Sequence, residues 1–302
     1  MPKSRSATLV DAAMLGLVIV WGANFAVIKS ALAEFSPLAF NALRFTLASA
    51  VLLSLTWYVE RDLSLPRRDW KPLLLLSFLS NFIYQNVFIL GIARTRASNS
   101  SLLLSTTPIF VALMGTLLGS ERLHSRNWLG ILTSFFGILL LIGGGTTSLS
   151  ISGGTLVGDL LVLCGTVLWA HYTIAAKDLM ARNSVLKVTA WFTVSTAPLL
   201  VLIGVPDLLA QDWQAVSAQS WLGLAYSGIL AIGVGFVVWT AGVKRLGSAR
   251  TSLYPNLPPL VAMVISWLSL GERMNAVQML GAVAILVGVV LGRYRASERN
   301  AG

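Results

Sequence analysis

The sequence predicts an all-α membrane protein, with ten transmembrane helices forming two inverted five-helix repeats around a central cavity. Three observations carry this reading. Of 302 residues, 56% are apolar and only 11% charged, with a mean hydropathy of +0.77, whereas a soluble chain carries roughly 25% charged residues. Lys and Arg gather in alternate loops. The second half of the chain also matches the first at a nearly constant offset.

About 20 apolar residues are needed to cross a hydrocarbon core as a helix. Such runs fall at 9–30, 37–58, 70–91, 98–119, 127–144, 155–178, 187–206, 218–241, 249–270 and 276–292, leaving no stretch for a separate soluble domain. A closed β-barrel, the other spanning solution, needs short alternating segments. Runs such as Leu73-Leu74-Leu75-Leu76 do not alternate, which excludes it.

Taken in order, the first run follows Lys3 and Arg5 and ends at Ala31-Leu32-Ala33, as a secretory signal with its cleavage site would. Asn24 and Lys29 interrupt it and it recurs internally, so it reads as a transmembrane helix. Trp21, Asn24 and Ile28 share one of its faces. The second run carries Arg44, which could snorkel to the outer surface, pair with Glu34 or hold a substrate carboxylate. The third holds Asn81, Tyr84, Gln85 and Asn86, the densest intramembrane polar cluster. Polar groups are costly in lipid and tend to face a cavity or a partner.

Pro108 interrupts the fourth run, because proline has no N–H and clashes with the preceding turn. Gly130 and Gly137 line one side of the fifth, where close packing is expected. The sixth carries Trp169 and Tyr172 as candidate cavity residues, and His171, whose imidazole could couple a proton. It also holds Cys164, the only cysteine, so neither an intramolecular disulfide nor a zinc cluster can form and no metal or cofactor is expected. The eighth has Tyr226, Ser227, Gly233, Gly235 and Trp239. Tyr254-Pro255-Asn256-Leu257-Pro258-Pro259 breaks the ninth, freeing carbonyls that a cavity could use. Gly288 and Gly292 form a small-xxx-small pair in the tenth, suited to packing within a monomer or to a weak homodimer.

A net charge of +10 could suggest nucleic acid, but its distribution points to a membrane. Lys3 and Arg5, then Arg61, Arg67, Arg68 and Lys71, then Arg122 and Arg126, lie on one side. Lys177, Arg182, Lys187, Lys244, Arg245, Arg250, Arg293, Arg295 and Arg299 join them, whereas the other side has Lys29, Arg94, Arg96 and Arg273. The positive-inside rule puts both termini in the cytoplasm, and the expected location is the plasma (cell inner) membrane.

At an offset of 151, Gly91 meets Gly242, Arg94 Arg245, Pro108 Pro259, Glu121 Glu272, Arg122 Arg273, Gly130 Gly281 and Gly137 Gly288. At 148, Trp21 meets Trp169 and Lys29 meets Lys177. Residues 1–147 and 148–302 are thus expected to be two copies of one unit. Five helices per copy is an odd number, so the second copy enters the membrane inverted, a plan of secondary transporters with a site at the midplane. Ser120-Glu121-Arg122-Leu123 and Gly271-Glu272-Arg273-Met274 then lie on opposite faces. They read either as solvated turns, with Asn275 and Gln278 spaced as a capping box, or as gates at Glu121 and Glu272.

Two five-helix halves, each ending in proline, a [SG]-E-R-[LM] turn and spaced glycines, resemble the drug/metabolite transporter superfamily, EamA type, over nearly the whole chain. Within it the sequence is similar to the YddG-like amino-acid and metabolite exporters. The resemblance implies alternating access around a cavity lined by the first, third and fourth helices of each half, with the fifth helices peripheral. It also implies export of amino acids, aromatic ones included, and related metabolites. One departure weakens symmetric gating: the counterparts of Tyr254 and Pro255 are Leu103 and Leu104.

The expected substrate residues are Trp21, Asn24, Asn81, Tyr84, Gln85, Trp169, Tyr172, Trp239, Tyr254 and Asn256; the expected breaks and gates are Pro108, Pro255, Pro259, Glu121 and Glu272. No H-E-x-x-H, P-loop or G-x-S-x-G motif is present. Val157-Gly158-Asp159 lacks the first glycine and the second aspartate of an intramembrane aspartyl protease. An enzyme using Asp159 or His171 is therefore the weaker alternative. Among transporters, nucleotide sugars or cationic drugs are the rival substrates, and few intramembrane cations are present to hold phosphates.

Overall fold

The computed structural model describes residues 5–95, 97–120, 123–143, 153–258, 260 and 275–292. Among them the regular elements are all helical. They are α1 (Arg5–Ala31), α2 (Pro37–Glu60), α3 (Arg67–Arg94), α4 (Ala97–Leu104), α5 (Thr107–Leu117), α6 (Ser125–Gly143) and α7 (Gly153–Arg182). After these come α8 (Val185–Ala210), α9 (Ala218–Leu246), α10 (Ser248–Thr251), a 3-10 turn at Tyr254–Asn256, and α11 (Ala276–Gly292). Six of these helices, α1, α2, α3, α7, α8 and α9, are long and apolar enough to cross a membrane. Half of the expected ninth span, including Pro259, lies outside the described residues, as do Glu121, Arg122, Glu272 and Arg273.

Local chemistry explains where the helices start and stop. Extended Ser36 and Pro37 open α2, proline being suited to the first helical position. The helix closes at Arg61, which is left-handed at φ 53° and donates its N–H to the Trp57 carbonyl. Ser184 and Ser217 cap α8 and α9 by accepting the N–H groups of Lys187 and Ser220.

Two of the expected helices are broken, each just before a proline, the fourth where Pro108 is expected to interrupt it. Helix α4 gives way to α5 at Ser105 and Thr106, ahead of Pro108. The hydroxyls of Ser105, Thr106 and Thr107 donate to the carbonyls of Leu102, Leu103 and Leu104 at 2.5, 2.6 and 2.6 Å. Serine and threonine thus satisfy carbonyls that lipid cannot. Helix α8 has the same device ahead of Pro198: Ser195 donates to the Trp191 carbonyl at 2.6 Å and Thr196 to that of Phe192 at 2.9 Å. Helices α3 and α9 each contain a π-helical stretch, Phe78–Ile83 and Tyr226–Val234, a feature common at functional sites.

The largest buried cluster joins α1, α2, α3, α7, α8 and α9 through Met14, Phe45, Phe88, Trp169, Phe192 and Trp239. Outside it, Leu117, Leu209, Leu222 and Val290 are among the large apolar side chains left exposed, as expected for a surface solvated by lipid. Helices α6 and α11 pack backbone to backbone. A Cβ added to Gly137 would stand 2.7 Å from the Ile285 nitrogen, and one on Gly281 would stand 2.6 Å from that of Leu141.

Polar contacts close the two ends. At one, Arg182, the last residue of α7, and Asn183 just after it bond the buried Asp69 of α3, and Lys187 pairs with Asp62. That bond and the Ser64 N–H hold the Asp62 carboxyl down to about 2. At the other, Glu34 accepts the Ser217 N–H at 2.7 Å, and Gln211 bridges the Ser36 N–H and the Glu34 carbonyl. Hydrogen bonds from the Ser217 backbone, then from the hydroxyls of Ser220 and Ser217, hold the Glu34 carboxyl below its ordinary range.

Candidate functional site

A cavity of about 90 Å³ lies between α1, α2, α3, α7 and α9. One water needs roughly 10–15 Å³ by the same measure, so this space has room for several water molecules. Trp21, Tyr84, Phe88, Trp169 and Phe236 supply aromatic walls, Pro255 and Pro258 one edge, and Asn24, Gln85, Thr107 and Arg44 the polar groups.

The aromatic wall is one connected cluster. The Trp21 ring centroid lies 5.8 Å from that of Trp169 and 5.3 Å from that of Trp239, and Trp169 lies 5.4 Å from Trp239. Tyr84 joins at 5.3 Å from Trp169. Pairs at such separations each contribute about 0.5–1.5 kcal/mol beyond their buried area. Trp21 is fixed by donating Nε1–H to the Ala231 carbonyl at 2.9 Å, within the π-helical stretch of α9. Gly235 leaves room for it, since a Cβ there would stand 2.8 Å from Nε1.

Among the described residues lining this cavity Arg44 is the one charged group. Arg44 is only 2% exposed, which overturns the snorkelling reading. Glu34 bonds Ser217 instead. The guanidinium donates from Nε to Asn41 Oδ1 at 3.0 Å, from one terminal nitrogen to Ser227 Oγ at 3.2 Å, and from the other to Gln85 Oε1 at 2.8 Å. It lies 5.5 Å from the Phe40 ring centroid and 5.8 Å from that of Phe45, within cation–π reach. Asn24 Oδ1 is buried with no hydrogen-bond partner, as is Trp239 Nε1.

The structure thus gathers Trp21, Asn24, Tyr84, Gln85, Trp169 and Pro255 around one cavity. Trp239 and Tyr254 line a small neighbouring void, and the Tyr254 hydroxyl donates to Asp11 at 2.5 Å. Asn81 instead donates to the Phe192 carbonyl, Tyr172 stacks on Phe192 and bonds Thr240, and Asn256 donates to Ser134 of α6. Pro108 shapes the break behind Thr107. His171 lies in a separate groove beside Leu75, Leu79 and Arg182, its Nδ1 bonded to Ser80 at 2.7 Å. Of Arg44 and its partner Ser227, the sequence offers only Arg44 as a substrate residue, as one of three readings of an arginine deep in an apolar run.

The sequence model of the EamA-like transporter family matches residues 8–143 and again residues 156–293. The uncharacterized transporter YyaM of Bacillus subtilis (strain 168) is 28% identical, covering 95% of this chain and 97% of its own. A probable amino-acid metabolite efflux pump of Escherichia coli (strain K12) is 28% identical, covering 94% and 95%. One solved crystal structure shares the fold with a TM-score of 0.77 at 22% identity, covering 95% of this chain and 96% of its own.

Proposed function

The chain belongs to the EamA-like transporter family, and from that premise we propose that it is a secondary transporter exporting amino acids, aromatic ones included, and related small metabolites. The observation that carries this reading is the cavity itself. Aromatic walls suit an apolar side chain, and a few polar groups among them suit the charged end of an amino acid. The efflux pump named above points the same way.

The mechanism we propose is alternating access between two inverted five-helix units, residues 1–147 and 148–302, with both termini cytoplasmic in the plasma membrane. Paired contacts support the twofold relation. Gly130 meets Gly288 and Gly137 meets Gly281, and the offset of 151 exchanges these two contacts. A Cβ on Gly91 would meet Val162 and one on Gly242 would meet Met14, which the offsets 151 and 148 likewise exchange. Trp21 and Trp169, counterparts at 148, touch each other. Loops assigned to the cytoplasm by their charge also meet one another, as Asp69 and Arg182 do.

Nucleotide sugars or cationic drugs are the alternative substrates, and the cavity favours neither. Among the described residues Arg44 is the one cation lining it, too few for a diphosphate, and it repels a cation. Proteoliposomes preloaded with labelled amino acids test the proposal. Saturable, protein-dependent efflux is expected, and absence of efflux across a broad amino-acid panel would overturn it.

A further inference from the structure

We propose that Arg44 selects the substrate, favouring molecules that bring a carboxylate to its guanidinium. The inference rests on the exporter reading and adds the charge that the cavity demands. A buried arginine in a membrane protein ordinarily finds a carboxylate or backbone carbonyls. Among the described residues, Arg44 has neither. Its three recorded hydrogen bonds go to an amide oxygen on its own helix, an amide oxygen on α3 and a hydroxyl on α9.

A guanidinium carries five N–H donors. Three are used, one from Nε and one from each terminal nitrogen. The two that remain lie one on each terminal nitrogen, and a carboxylate can take up two such donors with its two oxygens. Arg44 also lines the central cavity. Burial without a counter-ion is costly, and here neutral dipoles and the Phe40 and Phe45 rings offset it only in part. An incoming carboxylate supplies the missing charge in a site of low dielectric, where the pair is strong. Arg44 therefore pulls the anionic end of an amino acid toward α2, and the aromatic walls are left for the side chain.

A merely structural Arg44 would tie α2, α3 and α9 together and treat all substrates alike, so the test compares paired substrates. Efflux of an aromatic amino acid is measured beside that of its amide, which keeps ring and amine but lacks the carboxylate. Wild-type protein is expected to prefer the acid at least about tenfold. Arg44→Gln should raise KM for the acid by about thirtyfold or more without lowering efflux of the amide, which as a cation gains from loss of the guanidinium, and Arg44→Lys should recover only part, having charge without the fork.

Equal efflux of acid and amide by wild type overturns the inference and leaves the exporter reading intact. A uniform loss of both in Arg44→Gln overturns it too. Efflux of neither by wild type overturns the exporter reading, and this inference with it. Thermal unfolding in detergent is followed for each variant. Should Arg44→Gln not fold, the wild-type pair and Arg44→Lys decide between the outcomes.

Discussion

Gly130 and Gly288 face each other across α6 and α11 without room for a single methyl group between them. A Cβ on Gly130 would stand 2.6 Å from the Gly288 carbonyl oxygen, and a Cβ on Gly288 would stand 2.3 Å from the Ser134 nitrogen. Because the obstructing atoms are backbone, the helices themselves would have to part. Close backbone approach is what small residues permit in a membrane, where apolar side chains gain little by leaving lipid.

Gly288→Ala should therefore destabilise the protein by about 1–3 kcal/mol or more through overpacking. Gly16→Ala is the control, since a Cβ there meets nothing within 4 Å. It should be neutral or stabilising by up to ~1 kcal/mol, alanine being the better helix former. Thermal unfolding in detergent compares the two.

The inverted arrangement predicts that the turns after α5 and before α11 lie on opposite sides of the membrane. With Cys164 replaced by serine, cysteines placed at Ser120 and Asn275 should react with an impermeant thiol reagent from opposite faces. Reaction of both from one face would remove the inverted repeat.

Stability should fall with acid in a window that the end contacts define. Glu34 is held below its ordinary value near 4.5 and Asp62 is held near 2. A depressed folded-state pKa gives stability that is complete above the unfolded-state value and lost as pH falls toward the folded one. Wild type should melt higher than Glu34→Gln at neutral pH. The gap should close as pH drops below about 4.5, where a protonated Glu34 comes to resemble glutamine. A gap independent of pH would remove the charge from the explanation.

Trp21 should act through both its ring and its N–H. Trp21→Phe keeps an aromatic face but leaves the Ala231 carbonyl without this donor, a change of ~1 kcal/mol, seen as a few-fold rise in KM for efflux. Trp21→Ala also removes the contacts with Trp169 and Trp239 and should abolish most saturable efflux. Equal effects of the two variants would assign the role to the N–H alone.

Part of the candidate site was legible because it follows local rules. Trp21 and Asn24 stand three residues apart on a regular helix, and both line the cavity. The polar cluster of α3 obeyed that rule only in part. Tyr84 and Gln85 reach the cavity, but Asn81 turns to Phe192. Asn81 lies within the π-helical stretch Phe78–Ile83, which ends just before Tyr84, and its wider turn breaks the spacing by which residues three and four apart share a face. Asn256, marked as a cavity residue for its place beside two prolines, bonds Ser134 instead.

By itself the sequence determined that the chain is a helical membrane protein, where helices break near Pro108, and which aromatic residues are available for a wall. Those properties depend on hydropathy and backbone chemistry over a few neighbouring residues. Only the tertiary structure decided that Arg44 is buried beside the cavity rather than paired with Glu34. Its partners Gln85 and Ser227 are brought to it by helices distant in the chain, and no local rule states which faces of packed helices meet.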